Sequence, residues 1–127
     1  MERDQIITNN RGEVLGIVQA SDKEEVFFQN AVFRPILKLH NVLFIEVYKN
    51  YLSKHKTNFW ELNDEQKKVF IASSIQKDIK FRNALKGMMI GWFTIPEYLL
   101  YTKNSSNLNK RMMNLLIERY QSQIHLI

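Results

Sequence analysis

The apolar side chains near the C-terminus cover far more of a helix surface than one buried face requires. From about Asn107 onward they recur at helical spacing over an arc of roughly 200°, whereas a one-sided surface helix needs about 100°. Apolar residues also occupy two sides of the segment from Pro35 to about Leu52. Two such helices in one short chain must lie at the centre of a bundle or between subunits. The pattern predicts an all-α protein, and the apolar excess favours a homo-oligomer, most simply a dimer.

Helix start signals divide residues 21–127 into about five or six helices, which we expect to form one compact bundle. Ser21 and Glu24 have the spacing of a capping box, and Pro35 suits the first turn of the next helix. A residue before proline disfavours the α conformation, so the first helix is predicted to end near Phe33. The predicted N-caps of the later helices are Asn63, Asp78, Thr94 and Ser106.

Residues 1–20 have a different pattern. The stretch IITNNRGEVLGIV contains two short runs rich in β-branched residues, separated by Asn-Asn-Arg-Gly, which is typical of a hairpin turn. Two isolated strands are only marginally stable in water. We therefore predict an N-terminal extended arm or short hairpin in residues 1–20, which docks on a single helical domain formed by residues 21–127.

The sequence contains neither cysteine nor a long apolar segment. The absence of cysteine excludes disulfides, thiolate metal sites and cysteine nucleophiles, and it is compatible with the cytoplasm. The N-terminus lacks the pattern of a secretory signal. The longest segment without charge, residues 87–96, is far shorter than the about 20 residues that span a bilayer. We expect a cytoplasmic protein without a membrane partner.

The formal net charge of +5 is unevenly distributed along the chain. Residues 1–25 hold six acidic and three basic residues, a net charge of −3, and residues 26–127 hold seven acidic and fifteen basic residues, a net charge of +8. A basic body is compatible with nucleic acid or another anionic partner, and equally with the acidic N-terminal segment lying on it. The basic residues are spread out rather than clustered, which disfavours nucleic acid.

Three small residues, Ala84, Gly87 and Gly91, fall within one narrow arc of the fourth predicted helix, beside a ridge of bulky residues. Each glycine inside a helix costs roughly 0.5–1 kcal/mol relative to alanine, and close approach of another helix can offset that cost. We interpret the three residues as a helix-packing groove within the chain. The alternative is the floor of a ligand pocket.

Basic residues surround the start of the last predicted helix. Lys103, Lys110 and Arg111 flank it, and Ser105 and Ser106 lie at its first turn. Free backbone N–H groups at a helix N-terminus, together with hydroxyls and cations, can bind phosphate or carboxylate. These five residues form the candidate anion-binding site, and the alternative is a solvated basic surface.

Two polar residues are predicted to lie within apolar faces. His40, on the second helix, is either a buried structural group or a general base. Arg119, on the last helix, either extends its guanidinium to solvent or contacts an anion or a partner. Asp78 and Arg82 are spaced for an ion pair along the fourth helix. His55 lies in a polar connector and is predicted to be solvated.

The sequence carries no recognised catalytic or metal-binding signature. There is no H-E-x-x-H or H-x-H pattern, no G-x-S-x-G and no glycine-rich phosphate loop. We therefore assign no catalytic residue, no metal and no cofactor.

Three segments resemble known sequences: RPILKLHN at 34–41, IQKDIKFRNALKGMMIGWFT at 75–94 and KNSSNLNKRMMNLLIERYQSQI at 103–124. They resemble a group of small bacterial proteins, some of which carry the label glyoxalase, and the likeness covers most of residues 27–124. The resemblance implies membership of that group and supplies no catalytic residue. Glyoxalase I enzymes resemble paired βαβββ modules with His and Glu ligands, and glyoxalase II enzymes carry H-x-H-x-D-H. Neither pattern occurs in this sequence.

Three functional hypotheses follow from these features. The first is a non-enzymatic helical protein that acts through self-association or a protein partner. The second is a module that binds nucleic acid or an anionic ligand through the basic residues around Lys110. The third is an enzyme with a pocket near His40 or the glycine groove.

Overall fold

The computed structural model describes residues 2–12 and 23–127, and all regular structure in these ranges is helical. A π-helical turn, Gln29–Phe33, joins the second helix to the third, and short 3₁₀ turns lie at Phe59–Glu61 and Ile124–Leu126. The prediction of an all-α bundle is confirmed. None of the described helices combines the length and the apolar character needed to span a membrane. The helices are α1 (Glu2–Arg11), α2 (Glu24–Phe28), α3 (Arg34–Leu39), α4 (Asn41–Lys54), α5 (Asp64–Lys77), α6 (Ile79–Ile90), α7 (Ile95–Thr102) and α8 (Ser105–Ser122).

Helix α8 lies at the centre of the fold. It contacts α2, α5, α6 and α7. Tyr120 near its end donates its hydroxyl proton to the Phe44 carbonyl oxygen of α4 at 2.7 Å. The broad apolar arc of α8 is therefore covered within one chain and gives no support to the predicted subunit interface. The buried side chains of the helix are Leu108, Met112, Met113, Leu115, Leu116, Ile117 and Tyr120.

Helices α4 and α6 run antiparallel and meet through aromatic pairs at both ends. The ring of His40, directly before α4, lies 4.6 Å from that of Trp92, just after α6. At the opposite end, Tyr51 stacks on Phe81 at 4.0 Å. Aromatic pairs at these distances add to the energy of burial. The two contacts fix the register of α4 on α6.

The expected helix break at Pro35 is displaced to His40. The chain continues from α2 through the π-helical turn into α3, with Pro35 in the first turn of α3. A proline has no N–H to donate to the preceding turn, where the Arg34 N–H bonds the Gln29 oxygen at π-helical spacing. In that turn the Ala31 oxygen accepts a hydrogen bond from Arg11 of α1, with Nη2 at 3.1 Å. A side chain distant in sequence thus adds a hydrogen bond to the turn before the proline.

The prediction of an extended arm or hairpin is wrong for residues 2–11, which form helix α1. Gly12 follows with φ of +90°, a conformation that ends helices and favours glycine. Long-range contacts override the β-branched pattern, because Arg3 donates to the carbonyl oxygens of Gly91 and Phe93 at 3.1 and 2.9 Å. Residues 13–20 of the predicted arm, and Ser21 of the predicted first capping box, lie outside the described residues.

Three of the predicted N-caps are confirmed. Asn63 and Thr94 each form a complete capping box, with Gln66 and Glu97 respectively. Asp78 accepts the Phe81 N–H and starts α6. The start of α8 differs from the prediction. The helix begins at Ser105 with Asn104 as its N-cap, so Ser106 lies inside the first turn.

Candidate anion-binding site

A polar cleft of about 390 Å³ lies between α6 and α8, beside the end of α5. We call it the basic cleft, because it contains three cationic side chains and no carboxylate. Its cations are Arg82 and Lys86 of α6 and Lys110 of α8. Its other lining residues are Gln76, Ser106, Asn109, Met113 and Asn114.

Helical spacing brings the cations of the basic cleft together. Arg82 and Lys86 are four residues apart, so they project from the same side of α6. Lys110 lies one turn beyond Ser106 on α8, on the opposite wall. Arg82 is held in place by a hydrogen bond from Nη1 to the Gln76 carbonyl oxygen at 3.2 Å. Three side chains from two helices thus define one concave, positively charged surface.

No ion pair neutralises these three cations within residues 2–12 and 23–127. Arg82 and Lys86 are half-buried, whereas Lys110 is exposed. An anion placed in the cleft would be attracted by all three positive charges. The helix ends add no net preference, because the first turn of α8 at Ser106 favours negative charge and the last turn of α5 at Gln76 favours positive charge. The cleft is therefore electrostatically suited to an anion.

The predicted anion-binding residues are divided between two faces of α8. Ser106 and Lys110 line the basic cleft, while Ser105 and Lys103 line neither it nor the neighbouring cleft. Arg111 points to the other side, where its Nη1 donates to Gln29 Oε1 at 2.8 Å.

Sequence reasoning missed Arg82 and Lys86, two of the three cations of the basic cleft. The spacing of Asp78 and Arg82 predicts an ion pair between them, and no such pair forms among the described residues. The four-residue spacing of Arg82 and Lys86 indicates that they share one side of a helix. No feature of the sequence indicates that α8 packs opposite them.

The neighbouring cleft, about 510 Å³ in volume, has mixed charge. Glu25 and Glu118 line it together with Lys110 and Arg111. Hydrogen bonds from its own backbone N–H and from Asn104 lower the pKa of Glu25, so its carboxylate is ionised at neutral pH. The mixed cleft therefore has two carboxylates and two cations, and no net charge that would favour an anion. Lys110 lies between the two clefts and lines both.

His40 and the three residues of the glycine groove line neither the basic cleft nor the mixed cleft. The Nε2 atom of His40 is buried and has no hydrogen-bond partner among the described residues, and burial lowers the pKa of this imidazole. The three groove residues are exposed, and a Cβ atom added to Gly87 meets no atom within 4 Å. Among the described residues no helix covers the groove at Gly87, whereas Arg3 of α1 reaches the Gly91 carbonyl oxygen at its end.

Arg119 lies half-buried near Asn41, and its Nε donates to Asn41 Oδ1 at 2.7 Å. Burial and the nearby Arg34 lower the pKa of this guanidinium. Among the described residues it makes no ion pair. Its amide partner makes it a structural contact between α4 and α8.

A cluster that sequence analysis did not predict lies where α4 meets the start of α6. Tyr51 donates its hydroxyl proton to Asp78 Oδ2 at 3.0 Å, and His55 Nε2 lies 3.9 Å from the same oxygen. Burial, aided by the Asp78 carboxylate, raises the pKa of Tyr51 to about 12. The Phe81 N–H and the Tyr51 hydroxyl lower the pKa of Asp78.

This cluster faces an open cleft of about 590 Å³, whose rim carries Lys77 and Lys80. Asp78 caps α6 and accepts the hydroxyl proton of Tyr51. His55 donates a hydrogen bond from Nδ1 to the Tyr51 carbonyl oxygen, 2.9 Å away. Each group thus has a structural partner, and the cluster stabilises the α4–α6 contact.

The described residues contain no group of three or more His, Asp or Glu side chains placed to hold a metal ion. No protein family, curated protein or solved structure gives a significant match to this chain. Among the described side chains, those of the basic cleft form a concave surface with three cations and no carboxylate, which makes it the candidate ligand site.

Proposed function

We propose that this protein is a non-enzymatic binding protein that holds an anionic ligand in the basic cleft. The observation that carries the proposal is the convergence of Arg82, Lys86 and Lys110 on one concavity that no carboxylate lines. Cations of this kind raise the local concentration of anions and give charge-assisted hydrogen bonds to phosphate or carboxylate oxygens. The volume of about 390 Å³ lies within the range of small-ligand pockets.

The proposal is tested by titration calorimetry with inorganic phosphate, pyrophosphate and citrate in low-salt buffer. We expect binding of at least one anion, weakening as sodium chloride is raised, because salt screens exposed charges. The double variant Arg82→Gln/Lys86→Gln should lose at least about tenfold in affinity, because two charge-assisted contacts disappear.

The matched control removes two positive charges elsewhere. Lys38→Gln/Lys54→Gln has the same change in net charge, and both side chains are exposed and outside the clefts described above. It should bind within about twofold of the wild type, as should Lys103→Gln. Equal losses in the cleft variant and the control, or no heat with any of the three anions, would overturn the proposal.

Self-association is the second candidate function, and one observation favours it. Leu39, Val42 and Leu43 are exposed where α3 ends and α4 begins, and 74% of Val42 is accessible. Contiguous exposed apolar side chains are typical of contact sites between proteins.

Sedimentation velocity over a range of protein concentration tests this second candidate. We expect a dimer at high concentration, and we expect Leu43→Glu to remain monomeric, because a buried unpaired carboxylate disfavours the interface. Glu46→Gln on the same helix is the control for an altered surface charge. A wild-type protein that stays monomeric at high concentration would remove this candidate.

A further inference from the structure

The basic cleft offers more than positive charge. Four neutral polar side chains accompany the three cations, and these are Gln76, Ser106, Asn109 and Asn114. Asn109 accepts the Tyr101 hydroxyl proton on Oδ1 at 2.5 Å, so its amide orientation is set and its Nδ2 group remains a donor. The cations come from both α6 and α8. The hydroxyl and two of the amides come from α8, and the third amide, Gln76, comes from α5.

The size and charge of the cleft exceed what a simple inorganic anion uses. A volume of about 390 Å³ holds an organic molecule of several carbon atoms. A phosphate monoester carries about −1.5 to −2 charges at neutral pH, which suits three cations better than a single carboxylate does. The neutral side chains are suited to hydroxyl groups, which both donate and accept hydrogen bonds.

The cleft lacks the feature that nucleotides and nucleic acids use most. Recognition of an unpaired base depends on stacking against an aromatic side chain. No aromatic residue lines the basic cleft, where Met113 is the single apolar lining residue. The surface therefore disfavours a nucleobase and favours a compact polar ligand.

We infer that the ligand of the basic cleft is a small phosphorylated polyol, such as a sugar phosphate, an inference that rests on the proposed function. The phosphate lies between Arg82, Lys86 and Lys110, and the hydroxyl groups contact Asn109 and Asn114. Specificity for the polyol then comes from the neutral amides, and affinity for the phosphate comes from the cations.

The test compares four ligands by titration calorimetry under the same low-salt conditions. The reference ligand is ribose 5-phosphate. Inorganic phosphate lacks its sugar, ribose lacks its phosphate, and AMP adds adenine. We expect ribose 5-phosphate to bind at least tenfold more tightly than inorganic phosphate, with no heat from ribose. AMP should bind no more tightly than ribose 5-phosphate, because the cleft gives adenine no stacking partner.

Two variants separate the two parts of the inference. Lys86→Gln should weaken ribose 5-phosphate and inorganic phosphate alike, by about fivefold or more. Asn114→Ala should weaken ribose 5-phosphate by a similar factor and leave inorganic phosphate unchanged. Asn83→Ala, an exposed amide on α6 outside the clefts described above, is the control and should change neither.

Each outcome has a distinct meaning. Equal affinity for inorganic phosphate and ribose 5-phosphate, both reduced by Lys86→Gln, would overturn the inference and leave the proposed function intact. Tighter binding of AMP, or of a thymidine oligonucleotide, than of ribose 5-phosphate would also overturn the inference in favour of a nucleobase ligand. Binding of none of these anions would overturn both proposals.

Discussion

Arg11 and Glu97 form a two-pronged ion pair, with Nη1 2.6 Å from Oε1 and Nη2 2.7 Å from Oε2. Both side chains are largely buried. The same guanidinium also donates to the carbonyl oxygens of Trp92 and Ala31, and Glu97 Oε1 accepts the Thr94 N–H. One buried pair therefore connects α1, the π-helical turn and the start of α7.

Arg11→Ala is expected to destabilise the protein by about 3 kcal/mol or more, because it leaves a buried carboxylate unpaired and removes the hydrogen bonds to two carbonyl oxygens. Urea denaturation followed by circular dichroism measures the effect. Arg3→Ala is the control, because Arg3 makes the same kind of contact to carbonyl oxygens from an exposed position. A loss no larger than that of Arg3→Ala would contradict the role assigned to Arg11.

Gly87→Ala is expected to stabilise the protein by about 0.5–1 kcal/mol. The added methyl group meets no atom within 4 Å, and alanine has the higher helix propensity. Gly12→Ala should destabilise it instead, because φ at Gly12 is +90°. Thermal and urea unfolding of both variants provide the comparison. A destabilised Gly87→Ala variant would mean that another helix occupies the groove in solution.

His40 is expected to make stability sensitive to mild acid. Burial lowers the pKa of His40 below its unfolded value of about 6.5, so the unfolded chain binds the proton more tightly. The free energy of unfolding should therefore fall as the pH drops below about 6.5. His40→Phe keeps an aromatic ring against Trp92 and should lose less stability between pH 7.5 and pH 5. Parallel losses in wild type and variant would exclude this contribution.

Asp78 is expected to make the free energy of unfolding depend on pH in a lower range than His40 does. Its folded pKa is lowered, so the stability that its carboxylate contributes is present above the unfolded pKa of about 3.9 and is lost as the pH falls through the lower, folded value. Asp78→Asn retains a capping side chain and removes the charge. The variant should be less stable than the wild type at pH 7, with the difference shrinking in strong acid.

Tyr51→Phe provides the matched background for the Asp78 prediction. It removes the hydroxyl that donates to Asp78 Oδ2, so Asp78→Asn should cost less stability in this background than in the wild type. Urea midpoints of the four proteins at pH 7 and pH 3 complete the cycle. Additive effects would show that the two side chains are not coupled.

Local chemistry explains why much of the fold could be predicted from sequence. The caps at Asn63, Asp78 and Thr94 involve residues three positions away, so the printed sequence contains both partners. The arc of α8 likewise follows from spacing alone. Spacing left two alternatives for that arc, the centre of a bundle or a subunit interface, and the packing of the helices places it at the centre.

Contacts between distant segments explain most of what sequence could not show. Arg3 and Arg11 find their acceptors in the segment from Gly91 to Glu97, more than eighty positions away. These contacts stabilise a helix where the β-branched residues indicated strands. The basic cleft has the same origin, because Arg82 and Lys110 meet only when α6 and α8 pack together.

The buried pair of Arg11 and Glu97 makes positions 11 and 97 interdependent. Loss of the arginine alone would leave the carboxylate buried without its cation, and loss of the carboxylate alone would leave the guanidinium without its anion. We therefore expect epistasis between two sites that are not adjacent in sequence, with each substitution tolerated better in the presence of the other.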